Sequence, residues 1–480
     1  MAELPILQWA INLLILQGLM GAFDTLYHHE LTIALPHQKS ARLELSIHAV
    51  RALFYGILFA GIAHFAFHGA WAWLIAGLVA IEVLLTLWDF VVEDRSRKLP
   101  ASERVLHTVL AINGGALFAL YSLQLLHWAD LPSELNSIDF GWRSWLLTLF
   151  AIGVAASGIR DGLAALRMHR QPQAANPFVD IAPQRLLVTG GTGFIGEIMV
   201  NQLLDAGHTV SLFARDPLRA AYLFDGRARC VRSLAELGST EIFDAVINLA
   251  GAPVAGPRWT AKRQAQLLGS RVGTTEALIE WLQKAQHKPA VWLQASAIGY
   301  YGVRDANEEL YEDSSVGSGF MATLCAQWEA SALPVSGFGV RQVVMRLGVV
   351  FGPGAALLAL LLPHRFGLGG KLGSGTQIIS WIHRDDVLRL IARTLSDSTM
   401  NGTYNVVAPT AVSQAEFAVT AGAVLRRPVW FHLPAAPFRW CAGEMAELFV
   451  DGQRVAPRRL EQEGYHFSYP TLDATLRDLA

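Results

Sequence analysis

At 480 residues the chain is long enough for two or three domains with full cores. Hydrophobic residues make up 52% and charged residues 16%, too apolar for an ordinary soluble enzyme. A net charge of −2 excludes a global field for nucleic acid, so no nucleic-acid partner is expected. The three cysteines, Cys230, Cys325 and Cys441, form no CxxC pair, which excludes a disulfide framework and a cysteine-based zinc site.

The apolar excess lies near the N-terminus. The opening segment MAELPILQWAINLLILQGLM lacks a basic n-region and a small-residue cleavage site, so it reads as a retained helix. Five apolar stretches follow, at about 4–27, 43–67, 70–92, 105–128 and 142–163. Each has about 20 residues or more, enough for a bilayer core of roughly 30 Å. A soluble helical domain is the competing reading, and Trp at many segment ends argues against it. Lys39 and Arg42, then Arg95, Arg97, Lys98 and Arg104, then Arg167 and Arg170 fall on one side. The opposite loop, 129–141, is acidic (Asp130, Glu134, Asp139). The positive-inside rule therefore predicts a bacterial-type inner-membrane protein with its N-terminus outside and its C-terminal domain cytoplasmic.

Polar residues recur within this bundle at helical spacing. Asp24/His28, Glu44/His48, Asp89/Glu93 and Glu103/His107 are i, i+4 pairs, and His29 adjoins the first. Glu82 precedes Asp89 by seven and Gln17 precedes Asp24 by seven, extending the stripes. Helix 1 ends, helix 2 begins, helix 3 ends and helix 4 begins at one membrane face, so the four pairs are expected to converge there. Carboxylates and imidazoles from four helices resemble di-iron or di-manganese bundle sites and suit Fe, Mn or Zn. The expected ligands are Asp24, His28, His29, Glu44, His48, Glu82, Asp89, Glu93, Glu103 and His107. Two other readings stay open: interfacial ion pairs with Arg42, Arg51, Arg95, Arg97 and Arg104, and a bis-His haem.

The expected domains are a transmembrane bundle at 1–168, a polar linker at 169–183 and an α/β domain at 184–480. From the linker on, β and α patterns alternate, which predicts a Rossmann-like, doubly wound parallel sheet with a small C-terminal lobe. Residues 185–196 (RLLVTGGTGFIG) read as a strand, a glycine-rich turn and a helix start. Such a turn lets the backbone approach a pyrophosphate, and the helix N-terminus offers it free N–H groups. The helix is expected at 197–206, a second strand at 209–214 and a fourth at 244–251. The second strand ends in Ala214-Arg215, where an NAD enzyme usually has an acidic residue. Arg215 suits a 2′-phosphate, so NADP(H) is favoured over NAD(H); Asp216 beside it keeps open the reading of Arg215 as a solvated loop charge. The expected cofactor contacts are Gly190, Gly193, Phe194, Ile195, Gly196, Arg215, Ala250 and Gly251.

Ordered motifs continue to the C-terminus: TGGTGFIG (189–196), NLAGAPV (248–254), RWT (258–260), SR (270–271), SAIGYYG (296–302) and WE (328–329), then RLGVVFGPG (346–354), LGSGTQIISWIHRDD (372–386), GTYNVVAP (402–409) and GEM, GQR and GYHFSYP between 443 and 470. In these the chain resembles the YfcH-like atypical extended short-chain dehydrogenase/reductases, also called an epimerase family, over nearly 300 residues. The resemblance implies a Rossmann core and a small substrate lobe. Extended members act through Ser/Thr, Tyr and Lys, with Tyr four residues before Lys. Counting back from Glu329, those two positions hold Met321 and Cys325. Ser296, Tyr300 and Tyr301 are the remaining catalytic candidates, one tyrosine standing in as proton donor. A packing role for all three stays open, and Ala297 competes with Ser296 for the usual serine position.

The expected function is a membrane-bound NADP(H)-dependent oxidoreductase acting on a lipid-like or membrane-soluble molecule, with a metal centre in the bundle. A metal-free anchored epimerase or reductase, and a non-catalytic NADP(H) sensor or scaffold, are the alternatives.

Overall fold

The computed structural model describes residues 4–32, 35, 42–96, 99, 101–170 and 175–479. The chain divides into two compact units, 1–173 and 174–480.

The first unit is built on five long helices: α1 (Leu4–Phe23), α2 (Arg42–His64), α3 (Ala70–Ser96), α4 (Ala101–Ala129) and α5 (Trp142–Arg170). All five are long and apolar enough to cross a membrane. Their large side chains face outward: Trp9, Leu84, Ile112, Trp145 and Ile152 are each more than 60% exposed. A monomer in water rarely shows so much contiguous apolar surface. Small residues set the inner contacts. A Cβ on Gly158 would lie 2.6 Å from Ala52 Cβ, so α2 and α5 approach almost backbone to backbone. Two features were not expected. A short antiparallel pair, β1 (Phe65–Phe67) and β2 (Leu135–Ser137), ties the α2–α3 turn to the α4–α5 loop. And α1 runs on as a π-helix over Asp24–Thr32, whose wider winding changes which side chains share a face. Helix α5 also reaches Arg170, into the stretch expected as linker.

The second unit holds a seven-stranded sheet. In chain order its strands are β3 (Arg185–Thr189), β4 (Thr209–Phe213), β5 (Arg229–Val231), β6 (Ala245–Asn248), β7 (Val291–Ala297), β8 (Arg341–Leu347) and β9 (Gly402–Val406). In space they run β9-β8-β7-β6-β3-β4-β5, every neighbouring pair parallel. Both faces are covered, so the strands are continuous apolar runs. Leu186, Val188 and Ile247 enter one core, and Leu187, Val246 and Trp292 the other. The order reverses between β3 and β6, the switch point at which such sheets bind ligands. A smaller lobe closes the chain. In it, Gly369–Leu372 pairs in parallel with Val429–Leu433, and the helices Gln414–Leu425 and Leu472–Leu479 pack on Phe351 and Trp381.

Candidate functional site

The glycine loop sits at the switch point. Gly190, directly after β3, has φ +72°, and a Cβ there would come 2.4 Å from Leu249 O. The turn after β3 and the Leu249–Gly251 turn after β6 therefore touch, and only glycine permits it. The loop closes with Gly193 N–H donating to Gly190 O (3.0 Å) and leads into α6 (Gly196–Asp205). A Cβ on Gly196 would lie 2.2 Å from Gly190 O, so the helix start must be glycine. Ile195 forms the cap of α6 and packs into the sheet core, while Phe194 lies under the Arg384 guanidinium, 5.5 Å away. Burial holds Arg384 below the usual arginine range. This cradle is what a pyrophosphate on a helix N-terminus requires.

The turn at Ala250 and Gly251 is pinned from outside. Arg271 Nη2 donates to Ala252 O (3.0 Å), and its guanidinium fills the space beside Gly251. Ser270 Oγ accepts from Ala252 N–H (3.0 Å), and Trp259 Nε1 donates to Val254 O (2.9 Å). The RWT and SR motifs are thus the clamp on the second loop. Beneath both loops, Thr189 Oγ1 donates to Asn248 Oδ1 (2.6 Å), and Asn248 Nδ2 donates to Gln294 Oε1 (3.0 Å).

Arg215 stands exposed just past β4, with no ion pair among the described residues. Asp216 has another task. It is the N-cap of α7 (Pro217–Leu223), its carboxylate accepting from Arg219 N–H (3.1 Å). A capping carboxylate at a helix N-terminus is already satisfied. Arg215 itself stays exposed at the strand end.

The region after β7 sets its three candidates in different surroundings. Ser296 is 1% exposed, and its hydroxyl donates to Glu329 Oε1 at 2.6 Å. Tyr301 is fully buried, donates to Asn405 Oδ1 (2.7 Å) and accepts from Arg346 Nη1 (2.9 Å). Burial raises its pKa despite the nearby guanidinium. Both hydroxyls are thus bonded to other side chains of the protein. Tyr300 is half-buried, and its hydroxyl makes no hydrogen bond among the described residues. The Arg346 guanidinium lies 3.5 Å from its ring centroid. Arg346 is itself forked onto Glu329 through two 2.9 Å bonds. Burial opposes its charge, but the carboxylate outweighs burial and holds the guanidinium above its ordinary range. This Ser296–Glu329–Arg346–Tyr300 chain escaped the sequence reading. Trp328-Glu329 and Arg346 stood there as motif letters, but a 17-residue separation says nothing about pairing. Met321 and Cys325, on α8 (Phe320–Ala332), pack beneath the 298–301 turn, and burial pushes the Cys325 thiol up to about 12. Neither supplies the missing Tyr or Lys.

In the helical unit, residues from four helix ends do come together. Asp24, His29, Glu103 and His107 form one group and Glu44, His48 and Glu93 a second, with the ligand atoms of each group within 4.8 Å of one another. Three expected ligands fall outside both. Glu82 and Asp89 receive Arg51, at 3.0 Å for Glu82 Oε1, so they take the ion-pair role. His28 binds the outer oxygen of Asp24 (Nδ1 to Oδ1, 2.8 Å) and faces Ser102 Oγ (3.3 Å). The π-helical turn explains the exchange: with wider winding, i+5 joins i+4 on Asp24's face, so His29 reaches the cluster. Arg42 belongs to the described residues, whereas Arg97 lies outside them and nothing is described of the Arg95 side chain.

Comparisons with known proteins concern the second unit. Residues 186–407 match the family model described as NAD dependent epimerase/dehydratase family, and residues 433–479 a domain of unknown function, DUF1731. Epimerase family protein SDR39U1 of Mus musculus is 38% identical over 301 residues, 62% of this chain and 99% of the relative. Epimerase family protein SSP1921 of Staphylococcus saprophyticus is 35% identical over 296 residues, covering 61% and 98%. The crystal structure of human SDR39U1 (isoform 2) with NADPH superposes with a TM-score of 0.56 at 38% identity, covering 62% of this chain and 99% of that one. With a full-length relative matched at this identity, a parallel sheet of this order and a glycine cradle at its switch point, the chain belongs to the NAD dependent epimerase/dehydratase family.

Proposed function

We propose that this protein is a membrane-bound NADP(H)-dependent oxidoreductase acting on a lipid-like or other membrane-soluble small molecule. The observation that carries the cofactor reading is the glycine cradle at the β3/β6 switch point with an exposed Arg215 at the end of the next strand. Gly190, Gly193 and Gly196 would admit the pyrophosphate, Arg215 the 2′-phosphate, and Phe194, Ile195, Ala250 and Gly251 the walls. The human relative solved with NADPH supports the same choice. When bound, the cofactor supplies or accepts a hydride. The chain's own contribution is Tyr300, whose ring lies against the Arg346 guanidinium and whose hydroxyl, bonded to none of the described residues, is the group to give or take the matching proton.

The membrane reading rests on the five apolar helices and their outward-facing large side chains. Loop charge supports an N-terminus outside and a cytoplasmic nucleotide unit. A substrate dissolved in the bilayer is the class that such an anchor serves.

The test uses full-length protein in detergent. NADPH should bind more tightly than NADH, and NADPH should be oxidised when membrane lipid extracts or quinones are supplied. Preference for NADH would overturn the cofactor reading. A second reading is favoured by Met321 and Cys325 in place of Tyr and Lys: an NADP(H)-binding sensor or scaffold. Tight NADPH binding without turnover across lipid, quinone and nucleotide-sugar substrates would select it.

A further inference from the structure

Seven side chains from four helix ends, five of them buried and His48 and His107 partly so, come together in the helical unit, and the nucleotide reading uses none of them. We propose that they bind two adjacent divalent transition-metal ions of the Fe(II), Mn(II) or Zn(II) class. This does not depend on the cofactor assignment.

The first position is defined by Asp24 Oδ2, His29 Nε2, Glu103 Oε1 and His107 Nε2. His107 Nε2 lies 3.0 Å and His29 Nε2 3.5 Å from the same Asp24 oxygen, and His29 Nε2 is 3.7 Å from Glu103 Oε1. Ligands at about 2.1 Å from one metal stand about 3.0 Å apart in octahedral and about 3.4 Å in tetrahedral geometry. The observed separations span those values. The two His29 contacts are longer than a shared proton allows, since hydrogen bonds of this type fall near 2.9 Å. The second position is defined by Glu44, His48 and Glu93, with His48 Nε2 3.9 Å from Glu93 Oε1 and also 3.1 Å from Asp89 Oδ2 at its edge.

Neighbouring contacts orient these ligands in the way metal sites require. His107 Nδ1 lies 3.2 Å from Glu93 Oε2. If that nitrogen carries the proton, Nε2 of the neutral ring presents a lone pair toward Asp24, and a cation between them removes the clash. His28 holds Asp24 Oδ1 at 2.8 Å, which turns Oδ2 into the site. His107–Glu93 links the two positions, and the His29 and His48 rings stack across them, centroids 4.9 Å apart at 2°. Arg51 is engaged by Glu82 and Asp89 on the rim. Two imidazoles with carboxylate oxygens select borderline divalent ions over Mg(II) or Ca(II).

The experiment is metal analysis of full-length, detergent-purified protein, followed by titration of the chelator-stripped protein with Mn(II) alone, read by electron paramagnetic resonance of free and bound ion. The expected result is two equivalents bound per chain, with magnetic coupling between them. Glu103→Gln and His107→Gln, near in shape to the native residues, should each lose at least one equivalent. His28→Ala should keep both sites but weaken binding about 10- to 100-fold, as expected for an orienting residue. His64→Ala, on α2 and bonded to Thr148 Oγ1, should bind as the parent does. NADPH affinity in every sample reports folding of the second unit, and circular dichroism reports the helices. A parent protein that binds no Mn(II) or Zn(II), or Glu103→Gln and His107→Gln variants that bind as much as the parent, would overturn the proposal while leaving the NADP(H) reading intact.

Discussion

Adjacent tyrosines after β7 have opposite fates, and the difference is testable. Tyr301 is bonded on both sides inside the protein, so Tyr301→Phe should strand Asn405 and Arg346 and cost about 1–3 kcal/mol in a denaturant midpoint. Tyr300→Phe removes a hydroxyl that holds nothing together, so stability should stay and turnover fall. A Tyr300→Phe enzyme with parental turnover would remove that residue from the reaction. Arg215 offers a second contrast. Arg215→Ala should weaken NADPH binding by about 10- to 100-fold, the worth of a charge-assisted contact, and leave NADH nearly unchanged. The cysteines give a third. Cys325 is buried with its thiol pushed up to about 12, so at pH 8 it stays protonated, whereas Cys441 is exposed. Mass spectrometry after maleimide treatment of native protein should find label on Cys441 and not on Cys325.

At the scale of elements, the glycine loop makes the sharpest demand. Gly196→Ala would normally favour a helix, but here its Cβ would sit against the Gly190 carbonyl. The loop must open, so we expect about 1–3 kcal/mol of lost stability, the overpacking range, together with lost NADPH binding, read by thermal shift with and without cofactor. This loop was legible in the sequence because strand, turn and helix each carry local signals. The five long helices were legible for the same reason, since apolar length is a property of consecutive residues. The Glu329–Arg346 fork was not, because it joins α8 to β8 across the tertiary fold. Nor was the π-helical turn. The i, i+4 pattern presumes 3.6 residues per turn, so it pairs Asp24 with His28, a contact the structure keeps, but gives no reason for His29 to reach the same carboxylate. Arg51 was legible only as a competing ion pair, and it takes Glu82 and Asp89. The motif WIHRDD shows a similar limit. His383 stacks on Tyr469 at 3.8 Å, and Asp386 accepts from the Ser468 and Tyr469 amides, so these letters dock the C-terminal tail.

For the molecule as a whole, the two units keep separate cores. The helical core draws on residues from Leu7 to Val154, and the sheet cores on residues from Phe178 onward. The match of about 300 residues in the second unit accounts for 99% of the mouse relative and of the human structure. A polypeptide of residues 174–480 should therefore fold by itself in water, because its sheet is covered on both faces and its strand order is complete. The first unit should not, because its outward side chains need an apolar solvent in place of water. Expressed without the helices, the second unit should stay in the soluble fraction, melt cooperatively and bind NADPH with the affinity of the full chain. The full chain should sediment with membranes and resist extraction by alkaline carbonate. If residues 174–480 aggregate or lose NADPH, the helices complete the nucleotide fold rather than carry it, and the anchor role proposed for them fails.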